Sequence, residues 1–167
     1  MRKTMTFFEA LFGKKEPEIV GLDIAIVKFR QSPSKWFTYR EAPYEWPSSE
    51  NLGRPIFPDN LRVAVDGFTL GHIERISVSG STATIGHIAT TTECAGKGVG
   101  PVLAKAYATE LEKHLKIKRI VFAEDHTKFH EAGYPAFFAK IGATAMPVDP
   151  KLTKADRPDY EWLKANW

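Results

Sequence analysis

Three glycines within five residues, Gly96-Lys97-Gly98-Val99-Gly100, separate a segment typical of a β-strand from one typical of a helix. Residues 82–92 are rich in β-branched side chains, and apolar residues recur about every 3.6 residues after Val99. Glycine allows a sharp turn and leaves backbone N–H groups uncovered, while a helix N-terminus adds a positive dipole end. The segment therefore predicts a loop that binds phosphate or pyrophosphate; a tight turn without a ligand is the alternative.

Two common nucleotide-binding motifs do not fit this loop. A Walker A motif needs glycine at position 91 and serine or threonine at position 98, where the chain has Thr91 and Gly98. A dinucleotide-binding fingerprint needs glycine at position 101, which is Pro101. That fingerprint also normally follows the first strand of a βαβ unit. The sequence therefore disfavours nucleotide hydrolysis and hydride transfer.

The segments around the loop predict a mixed chain of strands and helices. Antiparallel strands are expected at residues 61–65, 68–78 and 82–92, joined by tight turns at Asp66-Gly67 and Ser79-Gly80-Ser81. After the long helix that begins near Val99, residues 118–123 predict a buried strand. A short helix is expected next, opened by Pro135 and closed by Gly142.

Four other segments have weaker patterns. The β-branched residues of 19–29 predict a first strand. Residues 31–60 predict an irregular excursion held by aromatic side chains, with one short helix from Ser34. Residues 143–148 predict a further strand, and Tyr160, Leu163 and Trp167 have helical spacing in the tail.

The order of these motifs resembles the GNAT superfamily of acyl-CoA-dependent N-acetyltransferases, over roughly residues 60–146. The family loop R/Q-x-x-G-x-G/A is similar to the run that starts at Ala95, which lacks the leading Arg or Gln. The family pattern Y-x-K-x-G-F is similar to Phe138-Ala139-Lys140-Ile141-Gly142-Ala143, with phenylalanine for the tyrosine and alanine for the last aromatic residue.

The resemblance implies an α/β (α+β) fold with a GNAT-like mixed, mostly antiparallel central sheet that splays around acyl-CoA and is flanked by helices. It implies one acyltransferase domain over residues 1–167. Within it we expect a short amphipathic N-terminal helix in residues 1–15 and a C-terminal tail in residues 150–167.

The resemblance also implies acetyl-CoA as the co-substrate. Strand backbone would pair with the pantetheine arm, loop amides would hold the pyrophosphate, and a loop lysine would add a phosphate contact. The implied cofactor-binding residues are Ile88, Ala89, Thr90, Gly96, Lys97, Gly98, Val99 and Gly100.

The implied activity is transfer of the acetyl group to a primary amine by direct attack, the acceptor being a small amine, a peptide N-terminus or a protein lysine. His87 and Glu93 are candidate bases, with Glu74 as another carboxylate, and a chain of water molecules would also serve. Tyr134 is the candidate acid, because Phe138 has no proton to give. A catalytically weak acyl-CoA-binding or protein-interaction module is the alternative.

Composition bounds the remaining classes. One cysteine, Cys94, indicates a cytoplasmic protein and no cysteine-based metal site, and His126 and His130 lack a third ligand, so no metal is expected. The 23 basic and 20 acidic residues are spread along the chain, which argues against nucleic-acid binding. Apolar stretches are far shorter than the roughly 18 residues of a membrane span.

Two apolar faces raise the question of self-association. Residues Phe7, Phe8, Leu11 and Phe12 form one, and Tyr160, Leu163 and Trp167 form the other. We expect each face either to dock on its own domain or to form a homodimer.

Overall fold

The computed structural model describes residues 17–46, 60–123, 134–147 and 158–167. The described helices are α1 Pro17–Gln31, α2 Val99–Leu115 and α3 Tyr134–Ile141. The described strands are β1 Phe37–Tyr39, β2 Ala42–Pro43, β3 Asn60–Val65, β4 Phe68–Ser79, β5 Thr82–Thr90, β6 Arg119–Phe122, β7 Thr144–Ala145 and β8 Tyr160–Leu163. These strands form one sheet in the order β2-β1-β3-β4-β5-β6-β8-β7.

The sheet is mixed and mostly antiparallel, as the resemblance to the GNAT superfamily implied. Strands β3, β4 and β5 form the expected antiparallel meander, and β6 then pairs parallel to β5 after the α2 crossover. The parallel pairing runs from Thr82 opposite Arg119 to Ile85 opposite Phe122. Strand β5 continues to Thr90, so its last residues extend beyond the segment that pairs with β6.

The prediction of a first strand in residues 19–29 is wrong, because this segment lies in helix α1. Its buried side chains follow an i, i+3, i+4, i+7 pattern that marks one helical face: Leu22, Ala25, Ile26 and Phe29. Ile24 and Val27 lie on the other face and are 37% and 51% exposed. Burial of an amphipathic face against the sheet outweighed the local β-preference of branched side chains.

The predicted helical face of the tail is also wrong. Tyr160 and Leu163 belong to strand β8, and only a single turn of 3-10 helix, Lys164–Asn166, follows. The reason is pairing with β6, in which Trp162 lies opposite Ile120 and is 1% exposed. The predicted strand at 143–148 is reduced to the two residues of β7.

Aromatic side chains hold the excursion that follows α1. A 3-10 turn, Pro33–Trp36, lies where a short helix was expected, and the β1–β2 hairpin, which the sequence did not predict, comes next. The Trp46 ring lies 4.9 Å from Tyr44 and 5.8 Å from Tyr107 of α2, between ring centroids. Burial raises the pKa of Tyr44 to about 12, with a smaller contribution from Tyr39.

Helices α1 and α2 pack against β3, β4 and β5. Gly71 of β4 allows this approach, since a Cβ there would lie 2.7 Å from the Ala89 carbonyl oxygen and 3.0 Å from Leu103 of α2. None of the described helices is both long and apolar enough to cross a membrane. The expected N-terminal helix, its apolar face and the pair His126 and His130 lie outside the described residues.

Candidate functional site

A cavity of about 520 Å³ opens where β5 leaves β6. Its walls are the end of β5, the glycine loop, the first turn of α2 and one face of α3. Seven of the residues that the resemblance assigned to cofactor binding line it: Ile88, Ala89, Thr90, Gly96, Gly98, Val99 and Gly100. The sequence reasoning did not assign these other wall residues to the site: Cys94, Ala95, Pro101, Ala136, Phe137 and Lys140.

The glycine loop has a backbone that side chains would disturb. Gly96 and Gly98 have φ values of 72° and 73°, in the left-handed region that favours glycine. The first N–H groups of a helix have no intrahelical acceptors. Gly98, the N-cap of α2, has no side chain that could accept from them. A Cβ on Gly100 would lie 3.2 Å from the Phe137 ring. The loop thus presents backbone, rather than side chains, to the cavity.

Lys97 behaves differently from its neighbours in the loop. Its Nζ lies 2.8 Å from Oδ1 of Asp23 in α1, and Lys97 is not part of the cavity wall. Its carbonyl oxygen accepts a hydrogen bond from Nη2 of Arg30, also in α1. The loop is therefore held from its outer side by two side chains of α1.

Tyr134 begins α3 and joins it to β5. Its hydroxyl donates a hydrogen bond of 3.1 Å to the Ile88 carbonyl, so this carbonyl points toward α3, and both residues line the cavity. Phe138, one helical turn later, is 1% exposed and stacks on Tyr160 with ring centroids 4.1 Å apart. The position where the family pattern has tyrosine therefore lies in the core, and Tyr134 is the tyrosine at the cavity.

His87 and Glu74 face each other across β5 and β4, beside the cavity but outside its wall. His72 joins them: its Nε2 lies 3.7 Å from Oε1 of Glu74, and its ring centroid lies 5.2 Å from that of His87. Asn60 Nδ2 donates to the same Glu74 oxygen at 3.2 Å. His72 lies opposite Ala89, a wall residue, so the β4 part of the cluster, His72 and Glu74, is one strand away from the end of β5 that lines the cavity. We call His72, Glu74 and His87 the strand cluster.

Sequence reasoning missed His72, although its i, i+2 spacing from Glu74 on a predicted strand was a usable signal. Glu93, the other candidate base, is exposed in the 3-10 turn Thr92–Cys94 and is not part of the cavity wall. Within the described ranges, no three His, Cys, Asp or Glu side chains are grouped so that they could hold a metal ion.

No protein-family model matches the sequence, and no curated protein matches it. Solved structures do. A GNAT-family acetyltransferase from Bacillus anthracis aligns with a TM-score of 0.51 and 16% identity, over 88% of this chain and 91% of that one. The spermidine N-acetyltransferase of Vibrio cholerae, a dodecamer, aligns with a TM-score of 0.51 and 14% identity, over 84% of this chain and 88% of that one. The chain has the fold of the GNAT acetyltransferases.

Proposed function

We propose that the protein is an acetyl-CoA-dependent N-acetyltransferase that acts on a primary amine. The observation that carries this proposal is the cavity where β5 leaves β6, which ends at a glycine loop on the N-terminus of α2. A cleft lined by the end of a strand and by the N-terminus of a helix suits a ligand with amide groups at one end and a diphosphate at the other.

The wall residues suit the two ends of acetyl-CoA. Glycine at 96, 98 and 100 leaves the loop backbone open to a diphosphate. Any larger residue would be strained at 96 and 98, and its Cβ at 100 would contact Phe137. The Ile88 carbonyl points toward α3 at the cavity and, beside the Tyr134 hydroxyl, would accept a pantetheine N–H. Lys140 lines the opposite wall and supplies a positive charge for the phosphates. Bound acetyl-CoA would supply an activated thioester.

The reaction requires an acceptor for the proton that the amine nitrogen loses. The amine nitrogen bonds to the acetyl carbon, the carbon–sulfur bond breaks, and the nitrogen loses a proton. The strand cluster is the proposed acceptor of that proton, because its imidazole and carboxylate lie together next to Ala89 at the end of β5. A thiol has a reference pKa of about 8.5, so its anion is a tolerable leaving group near neutral pH.

Tyr134 is the proposed donor of a proton to the departing thiolate. Its hydroxyl lies at the cavity wall, but it is engaged with the Ile88 carbonyl. Donation to a thiolate would require the hydroxyl to turn from that carbonyl, and solvent is the competing donor. Glu93, which is exposed and does not line the cavity, has no part in this proposal.

The test is release of free thiol from acetyl-CoA with a panel of amines, beside thermal shifts with CoA and with ATP. We expect CoA to raise the melting temperature more than ATP does, and at least one amine to release thiol above the rate of hydrolysis. Stabilisation by CoA without turnover on any amine would instead favour an acyl-CoA-binding module. A larger shift with ATP would overturn the proposal.

Self-association is a second, separate proposal. Two apolar side chains of α1, Ile24 and Val27, and one of β8, Leu163, are exposed among the described residues. Such side chains favour contact with another copy when they adjoin further apolar surface. Light scattering across a concentration series tests this, and a monomer at every concentration would rule it out.

A further inference from the structure

Two side chains of helix α1, Asp23 and Arg30, contact the outer side of the glycine loop. Their charges are balanced differently. Lys97 of the loop forms an ion pair with Asp23 at 2.8 Å, so these two charges balance. Arg30, in the last turn of α1, donates to the Lys97 carbonyl, and a Cβ on Gly98 would lie 3.2 Å from its Nη2. No ion pair of Arg30 is found with any carboxylate in the described part of the chain. Among the described residues, the positive charge of Arg30 is therefore not paired with a carboxylate.

The contact of Arg30 with the Lys97 carbonyl also sets the direction of the Gly98 N–H, because both groups belong to one peptide bond. A trans peptide is planar, and its carbonyl and N–H point in opposite directions. Arg30 holds the carbonyl from the α1 side, and Gly98 lines the cavity on the other side. The N–H of Gly98 is thereby aimed away from Arg30, toward the cavity.

We propose that Arg30 is a positioning residue for the diphosphate of the co-substrate: it orients the Gly98 N–H through the Lys97 carbonyl and adds positive charge behind the loop. This inference rests on the proposed function. Arg30 itself does not line the cavity, and the proposal gives it no contact with the reacting atoms. Position 95, where the family pattern has a donor side chain, is an exposed alanine, so the donor to this loop comes from a different element.

The test compares Arg30→Ala with Arg30→Lys and with Lys28→Ala. Lys28 lies in the same helical turn, but its ion partner is Asp66 at 2.5 Å, away from the loop. We expect Arg30→Ala to raise KM for acetyl-CoA and Kd for CoA about tenfold, which is typical of one charge-assisted hydrogen bond, with little change in kcat. Arg30→Lys should recover part of this affinity, and Lys28→Ala should bind CoA as the parent does.

A truncated substrate separates positioning from general damage to the fold. S-acetyl-pantetheine lacks the diphosphate, so its kcat/KM should be the same in Arg30→Ala and in the parent. An equal loss with both substrates, or unchanged CoA affinity in a folded Arg30→Ala variant, would overturn the inference while leaving the proposed function intact. A parent protein that does not bind CoA would instead overturn the proposed function.

Discussion

The glycine loop lines the cavity and the strand cluster lies outside its wall, mostly one strand away, and the two are built in different ways. The loop acts through backbone N–H groups, and its shape follows from glycines at 96, 98 and 100. The strand cluster acts through side chains brought together by the pairing of β4 with β5. A backbone site is visible in a short run of sequence because it needs glycine, whereas a side-chain cluster across strands depends on register.

The largest effect is expected from Gly98→Val, which breaks the backbone half of this comparison. A β-branched residue is strained at φ 73°, and the added side chain would also press on Arg30. If the backbone at position 98 relaxes to a negative φ, its N–H changes direction and no longer points to the diphosphate. CoA affinity should therefore fall about 10- to 100-fold. Isothermal titration calorimetry with CoA measures the Kd of the parent and of the variant.

Gly80→Val is the matched control for Gly98→Val. Gly80 has φ 59° in the β4–β5 turn, far from the cavity wall, with no atom within 4 Å of an added Cβ. It should lower the melting temperature through the same kind of strain and leave CoA affinity unchanged. Equal CoA affinity in both valine variants would show that the loop does not bind the co-substrate.

A second effect, on stability, is expected from Phe138→Tyr, which restores the residue of the family pattern. Because Phe138 is 1% exposed among aromatic rings, the new hydroxyl would be buried. An unpartnered buried hydroxyl costs about 1–3 kcal/mol, or roughly 2–12 °C in melting temperature for a chain of this size. Differential scanning calorimetry measures the shift. An unchanged melting temperature with faster turnover would mean that this position reaches the cavity.

Substitution within the strand cluster should have a smaller effect on turnover. Glu74→Gln keeps the shape of the side chain and removes the carboxylate that lies 3.7 Å from His72. We expect kcat to fall about tenfold, below the usual range for general base catalysis, because solvent can replace a base for an amine. Steady-state kinetics with the best amine measures it. A loss in Glu93→Gln, with Glu74→Gln fully active, would return the base role to Glu93.

The smallest effect is expected from Tyr134→Phe, at the end of β5 beside the cavity. The variant loses the hydroxyl that donates to Ile88, a contact worth about 0.5–1.5 kcal/mol. If Tyr134 gives the proton to the thiolate, kcat should fall a few-fold and recover as pH approaches the thiol pKa of about 8.5. Full activity with an unchanged pH profile would assign proton delivery to solvent.

Much of the fold followed from local patterns. The β3–β5 meander has glycine-containing turns between its strands, and α2 and α3 have proline near the start and apolar periodicity. Helix α1 was missed because Ile and Val are frequent in it, although Leu22, Ala25, Ile26 and Phe29 already had helical spacing. Strand β8 was missed because three residues in the tail imitate a helical face, and its partner β6 lies some 40 residues earlier in the chain.

By itself, the sequence determined the glycine loop, the long helix after it and the strands before it, because glycine, proline and apolar periodicity act on the local backbone. Only the tertiary structure decided that Lys97 turns to Asp23, that Arg30 holds the loop, and that His72 joins Glu74. Those contacts join segments far apart in the chain. They depend on strand register and helix docking, which burial across the whole sheet determines.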